Sequence, residues 1–253
     1  MRNYLFKIKY DGFAFHGWQF QPNGITVQQC ISEAIDRIFS QRVTVHGCSR
    51  TDSGVHANEF CFSCKLETNM PCEKMIYALN AVLPEQIAVT DCEVVGDGFH
   101  ARFDCKGKEY IYIINNAKVR DPFLVGRAYH YKYKLDEKML DEQAKDFIGT
   151  HDFASFCAAG SSVKDTVRTV YDFTVTRDGD KVIFKVCGDG FLYNMVRIAV
   201  GTLLDISRGK LECGSVPKII ESKDRSKAGV TAPACGLYLN KVFYGENKNE
   251  QTE

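Results

Sequence analysis

Residues 47–57, GCSRTDSGVHA, place an arginine and an aspartate close together between two glycines. Arg50 and Asp52 are separated by one threonine, and the cluster follows a strand-like segment. A short polar cluster of this kind is typical of a turn in which an aspartate bonds nearby backbone. It is equally typical of a reactive aspartate, because a carboxylate in a dry pocket stays ionised only if a cation compensates its desolvation. Such a carboxylate can act as a nucleophile or as a base.

A second charged candidate, Arg197, lies in the otherwise apolar run FLYNMVRIAVGTLLDIS at residues 191–207. A guanidinium inside an apolar helix is costly unless an anion meets it. The alternative is an arginine at the helix edge whose head group reaches water. The run by itself leaves both interpretations open.

The cysteines favour a structural role. Cys61 and Cys64 have the Cys-x-x-Cys spacing of zinc sites, but they lie in the alternating segment 59–66, where residues three apart point to opposite faces. No second pair follows at zinc-ribbon spacing, so we predict no metal. The total of eleven cysteines is odd and thinly spread, which argues against a secreted disulfide scaffold. We therefore expect a reducing, cytoplasmic location.

The composition is that of a globular protein: of 253 residues, 45% are hydrophobic and 25% charged. The 32 basic residues balance 32 acidic ones. Zero net charge does not exclude nucleic acid, because binding depends on how charge is distributed. Residues 1–104 carry 9 basic and 12 acidic side chains and the remainder 23 and 20, so any basic surface must be assembled by folding. The chain has no stretch of about 18 uninterrupted apolar residues, so we expect no membrane span.

Strand-like and helix-like periodicities alternate along the chain, which predicts an α+β fold. In the first part we predict strands at 3–10, 42–47, 59–66, 87–95 and 99–104, and helices at 26–39 and 71–84. In the second part we predict strands at 108–116, 166–177, 181–187 and 236–244, and helices at 135–149, 191–207 and 215–223. These patterns indicate two similar domains, 1–104 and 105–245, with mainly antiparallel sheets flanked by helices, and a polar tail at 246–253. We expect the active site in a cleft between the domains.

Six motifs in order resemble the tRNA pseudouridine synthase A (TruA) family, nearly from end to end of the chain. They are YDGFAFHGWQFQPNGITVQ (10–28), SRTDSGVHA (49–57), FHARFDCKGKEYIYII (99–114), HDFASF (151–156), GDGFLYNMVRIAVGTLLDISRGK (188–210) and APACGLYLNKVFY (232–244). The resemblance implies the pseudouridine synthase fold and isomerisation of uridine to pseudouridine in the anticodon stem-loop of tRNA, at positions 38–40. It also implies a homodimer.

The resemblance assigns roles to five residues. Asp52 matches the catalytic aspartate, and Arg197 the arginine that pairs with it. Arg50 stands where the family has a basic residue that reaches into the RNA, and Tyr110 matches the tyrosine that packs on the target base. Leu237 matches an apolar wall of the uracil pocket.

The implied reaction requires no cofactor, because uracil leaves C1′ through N1, rotates and rejoins through C5 without redox change. The carboxylate would add to C1′, add to C6 or take a proton from the sugar, and the sequence does not choose among these routes. The base must also leave its stack, which costs a few kcal/mol. An aromatic face recovers about 1–3 kcal/mol of that by stacking.

Several alternatives remain open at this level. An inert RNA-binding module would have no need for the set of Asp52, Arg197 and Tyr110, and an unrelated hydrolase or phosphotransferase is disfavoured because a Walker lysine loop is missing.

Ser49 and Ser53 stand where the family usually has small residues, and they would add hydrogen bonds beside the aspartate. Trp18 fits either the core or an RNA-facing position. Five further cations are candidate phosphate contacts or solvated charges: Lys106, Lys108, Arg127, Lys132 and Lys134.

Overall fold

The computed structural model describes residues 1–161 and 163–245 and has the predicted α+β composition with mainly antiparallel strands. The chain divides into two units. The described part of unit 1 is Met1–Lys106 and residues 238–245, and that of unit 2 lies within Gly107–Leu237. The sequence placed the closing strand in the second domain, whereas nearly all of that strand lies in unit 1, where it pairs with a neighbour. The predicted tail at 246–253 lies outside the described residues.

Unit 1 contains a four-stranded sheet, one short additional strand and two helices. Its elements are β1 (Arg2–Tyr10), α1 (Val27–Phe39), β2 (His46–Gly47), β3 (His56–Leu66), α2 (Cys72–Asn80), β4 (Ile87–Val95) and β10 (Leu237–Tyr244). β1 lies between β4 and β3 and is antiparallel to both, and β2 pairs with β3. β10 is parallel to β3, with Tyr238 opposite His56.

The core of unit 1 follows from the periodicities in its sequence. α1 begins where the Thr26 hydroxyl accepts a hydrogen bond from the Gln29 amide at 3.3 Å, and it buries the face predicted by its apolar spacing. The sheet carries buried aromatic rings, and Phe6 stacks on Phe62 with ring centroids 4.9 Å apart. Trp18 is buried and stacks on Phe60 at 4.0 Å, so it belongs to the core.

Unit 2 is built on four antiparallel strands and one short parallel strand. Its elements are β5 (Cys105–Asn115), β6 (Tyr129–His130), α3 (Glu137–Ala144), β7 (Gly149–Asp152), β8 (Val167–Asp178), β9 (Lys181–Gly188), α4 (Met195–Ser207) and α5 (Val216–Ser222). The strand order is β5-β9-β8-β7, and the short β6 runs parallel to the end of β5. The predicted β8–β9 hairpin is confirmed, with Gly179 at a φ of 56° in its turn.

Several predicted elements are shorter in the structure or absent. The helices predicted at 71–84 and 135–149 are shortened to α2 and α3. Residues 99–104 form turns instead of a strand, because the Asp104 carboxylate accepts a hydrogen bond from the His100 amide at 2.7 Å. The strand predicted at 42–47 is reduced to β2. The helix predicted from residue 191 begins only at Met195, because Asn194 adopts a left-handed conformation with a φ of 61°. Asparagine tolerates this conformation better than most residues.

Candidate active site

Asp52 lies in the loop between β2 and β3, and this loop is closed by a tight turn. The Val55 amide donates to the Asp52 carbonyl at 3.1 Å. Gly54 has a φ of 78°, which is the third position of a type II turn and favours glycine. The loop therefore contains a turn, but its closing hydrogen bond is made by the main-chain carbonyl of Asp52 and is not the side-chain bond of the predicted turn. A turn of this kind does not exclude chemistry at the Asp52 carboxylate.

The residues on both sides of Asp52 are held by hydrogen bonds from the end of β1 and the loop at residues 11–24. The Thr51 hydroxyl lies 2.8 Å from the Tyr10 hydroxyl, and the Thr51 carbonyl accepts from the Trp18 amide at 3.1 Å. Ser53 donates from its hydroxyl to the Phe15 carbonyl at 3.3 Å. This bond anchors the loop, and it confirms the expectation that Ser53 adds a hydrogen bond beside the aspartate.

A buried histidine at the start of β3 supports the end of the same loop. His56 is 1% exposed, and its Nδ1 atom lies 3.1 Å from Oδ1 of Asp11. Its ring stacks on Tyr238 with centroids 4.5 Å apart. The sequence pattern identified neither this pair nor the Tyr10–Thr51 contact, because the partners are more than 40 residues apart. The result is a braced backbone that presents Asp52 and the exposed Arg50 from one loop.

Arg197 is half-buried near the start of α4, and two hydrogen bonds within unit 2 orient its guanidinium. Nε donates to the Ala232 carbonyl at 2.8 Å, and Nη1 donates to Oδ1 of Asn194 at 2.7 Å. A guanidinium has five N–H donors, so these bonds fix the direction of the group without exhausting its capacity. The role of Asn194 as an anchor is a further feature that the sequence did not predict.

The two apolar candidates also lie in unit 2. Tyr110 is on β5, 7% exposed, and meets the edge of Phe191 at a centroid distance of 5.2 Å. Leu237 begins β10 and is 7% exposed. The segment before it is held by the buried Tyr112, whose hydroxyl donates to the Pro233 carbonyl at 2.8 Å. Burial raises the pKa of Tyr112 well above its usual value, so this hydroxyl remains a donor.

The five predicted residues thus divide between the units. Arg50 and Asp52 share one loop of unit 1, while Tyr110, Arg197 and Leu237 belong to unit 2. The Arg197–Asp52 pair that the resemblance implies stays a prediction.

The structure favours a packing role for the Cys-x-x-Cys pair. Cys61 and Cys64 are both buried on β3, and desolvation raises the pKa of Cys64 to about 12. A metal requires thiolates, which burial disfavours here. Within residues 1–161 and 163–245, no group of three or more His, Cys, Asp or Glu is arranged to hold a metal ion.

We expect Gly17→Ala to lower the turnover rate strongly and the thermal stability only slightly. Gly17 has a φ of 84°, and an added Cβ would lie 2.5 Å from the Thr51 carbonyl oxygen. The strain costs about 1 kcal/mol or more, and its relief would displace the backbone beside Asp52. A displacement of the catalytic backbone by about 1 Å can reduce turnover about tenfold to a hundredfold. The single-turnover rate of the isomerisation that the resemblance implies, and thermal unfolding, would be measured for Gly17→Ala and for the wild type. The control is Gly98→Ala, because a Cβ at position 98 meets nothing within 4 Å; equal turnover in the two variants would contradict the bracing role.

Comparison with known protein families gives a match over most of the chain. A family model described as tRNA pseudouridine synthase matches residues 7–104 and 143–245, which is more than half of the chain and includes all five candidate residues except Tyr110. The chain therefore belongs to the tRNA pseudouridine synthase family.

Relatives within this family are similar over nearly their whole length. The tRNA pseudouridine synthase A of Thermoanaerobacter sp. (strain X514) is 46% identical over 244 residues, covering 96% of this chain and 100% of the relative. The enzyme of the same name from Clostridium acetobutylicum is 47% identical with the same coverage. That of Bacillus subtilis (strain 168) is 46% identical over 239 residues, covering 94% of this chain and 97% of the relative.

Among the described helices, none has the length and apolar character needed to cross a membrane.

Proposed function

We propose that this chain isomerises uridine to pseudouridine in the anticodon stem-loop of tRNA. The observation that carries the proposal is the family match, which extends through both units and is supported by relatives of the same length. The braced Asp52 loop adds a physical reason, because isomerisation requires a positioned carboxylate.

In the proposed reaction Asp52 supplies the reacting carboxylate. Its loop is fixed through Thr51 and Ser53, so the carboxylate is positioned before substrate arrives. Detachment of uracil from C1′ and reattachment through C5 leave the oxidation state unchanged, and the three routes for the carboxylate remain alternatives. No cofactor is proposed.

The other residues are proposed to hold the flipped nucleotide and the carboxylate. Tyr110 would pack on the uracil, and Leu237 would form an apolar wall beside it. Arg50 is exposed, as a residue that reaches into RNA must be. Arg197 would pair with Asp52 through a charge-assisted hydrogen bond and favour its ionised form.

We further propose a cytoplasmic homodimer. The family resemblance supports the dimer. A reducing location is supported by the cysteines, since all eleven are free thiols in the structure.

The direct test is incubation of the purified protein with unmodified tRNA, followed by mapping of pseudouridine at each position. We expect product in the anticodon stem-loop, with a rate that EDTA does not change because the rearrangement is redox-neutral and uses a carboxylate. Absence of product with every tRNA tested would contradict the proposed function. Product confined to another part of the tRNA would contradict only the proposed target.

A further inference from the structure

A short segment of unit 2 alternates cations with tyrosines and contains no acidic residue. It is RAYHYKYK at residues 127–134. Lys132 and Lys134 are exposed, and Tyr133 between them is a large aromatic residue that is 47% exposed. The chain has zero net charge, so a local excess of cations is informative.

Folding adds a distant cation to this segment. Arg208, at the end of α4, lies over the Tyr133 ring with Cζ 4.5 Å from its centroid. The Lys132 ammonium lies 5.6 Å from the same centroid. Both distances are within the range of cation–π attraction. We call Lys132, Tyr133, Lys134 and Arg208 the basic patch.

The backbone of the patch is anchored although it has no regular secondary structure. The Asn116 side-chain amide donates to the carbonyls of Tyr131 and Tyr133 at 2.7 and 2.8 Å. The side-chain oxygen Oδ1 of Asn116 in turn accepts a hydrogen bond from the Arg177 guanidinium at 3.2 Å. Exposure of Tyr133 is therefore built into the fold and does not result from a loose loop.

The carboxylates nearest in sequence to the patch already have partners. Asp205 pairs with Lys210 at 3.0 Å, and Glu137 with Arg177 at 2.8 Å. Asp136 accepts hydrogen bonds from the first amides of α3. Across the described residues, Lys132, Lys134 and Arg208 form no ion pair with a carboxylate. The patch therefore presents cations that an external anion can bind.

We propose that Lys132, Lys134 and Arg208 bind the phosphate backbone of tRNA, an inference that rests on the proposed function. Tyr133 acts as a positioning residue, because its ring restrains two long side chains before the RNA arrives. Phosphate contacts commonly set the register of a nucleic acid on a protein. The patch adjoins the end of β5 through the bond from the Tyr131 amide to the Asn115 carbonyl, at 2.9 Å. Asn115 lies about 17 Å along β5 from Tyr110, so the contact is to tRNA beyond the target base.

The test measures the dissociation constant of unmodified tRNA over a series of salt concentrations. We expect Lys132→Ala, Lys134→Ala and Arg208→Ala each to weaken binding severalfold and to reduce the log–log salt slope by about 0.7 to 0.9. The matched control is Lys218→Ala, because Lys218 is an exposed cation on α5, which packs beside β7 at the other edge of the sheet of unit 2. Lys218→Ala should keep the wild-type affinity, salt slope and single-turnover rate.

The positioning role is tested at Tyr133 itself. Tyr133→Phe keeps the ring and should bind tRNA as the wild type does, whereas Tyr133→Leu should weaken binding about two- to fivefold. In an Arg208→Ala, Lys132→Ala background, Tyr133→Leu should add nothing. Equal binding by Tyr133→Leu and Tyr133→Phe would overturn the positioning role.

Two outcomes would overturn the phosphate contact. One is patch variants whose affinity and salt slope match those of Lys218→Ala. The other is a change of oligomeric state with unchanged tRNA affinity, measured by sedimentation, since this would make the patch a subunit interface. Loss of affinity in the three patch variants, with wild-type affinity in Lys218→Ala, would support the contact. A wild type that binds tRNA through the patch but makes no pseudouridine would contradict the proposed function alone.

Discussion

Asp52→Asn is expected to reduce pseudouridine formation by roughly a thousandfold or more while tRNA affinity stays within severalfold of wild type. The substitution preserves shape but removes the carboxylate that every proposed route requires. Asp52 should contribute nothing to phosphate binding, because its charge has the same sign as the backbone. The loop should keep its conformation, since the turn is closed by the Asp52 carbonyl.

The measurement combines single-turnover rates with equilibrium binding of the same tRNA. Asp91→Asn is a suitable control, because Asp91 is a unit 1 carboxylate that pairs with Lys7 at 3.6 Å on the sheet. We expect it to react at the wild-type rate. Substantial turnover by Asp52→Asn would show that another group carries the reaction.

The second large effect is expected from Arg197→Met, which should lower the rate by roughly a hundredfold. If Arg197 pairs with Asp52, the variant leaves a carboxylate without the cation that favours its ionised form. Such a carboxylate ionises only at higher pH, so the residual rate should move to higher pH. Arg197→Lys should recover only part of the rate, because lysine lacks the bidentate fork.

The pH–rate profile separates this role from a structural one. Arg197 also bonds Ala232 and Asn194, so its loss can weaken unit 2. A purely structural arginine would lower the thermal stability without displacing the pH profile. A profile identical to the wild type in Arg197→Met would rule out the pairing, and Asn194→Ala, which removes one anchor but keeps the cation, is the matched control.

Much of the fold could be predicted because its elements are periodic over short stretches. α1 shows this well. Its apolar spacing predicted the buried face, and the capping residue Thr26 predicted where the helix begins. The hairpin at Gly179 is equally local. The strand predicted at 99–104 was wrong for the opposite reason, since a hydrogen bond from His100 to the Asp104 carboxylate outweighs a weak alternation.

The sequence by itself determined the family, the reacting aspartate as a candidate and most of the secondary structure, because motifs and periodicity depend on neighbouring residues. Only the tertiary structure decided that β10 pairs in unit 1 and that Tyr10 braces Thr51. It also brought Arg208 onto Tyr133, 75 positions away. Such contacts depend on how sheets and helices pack, and packing is set by the burial of whole faces rather than by any local pattern.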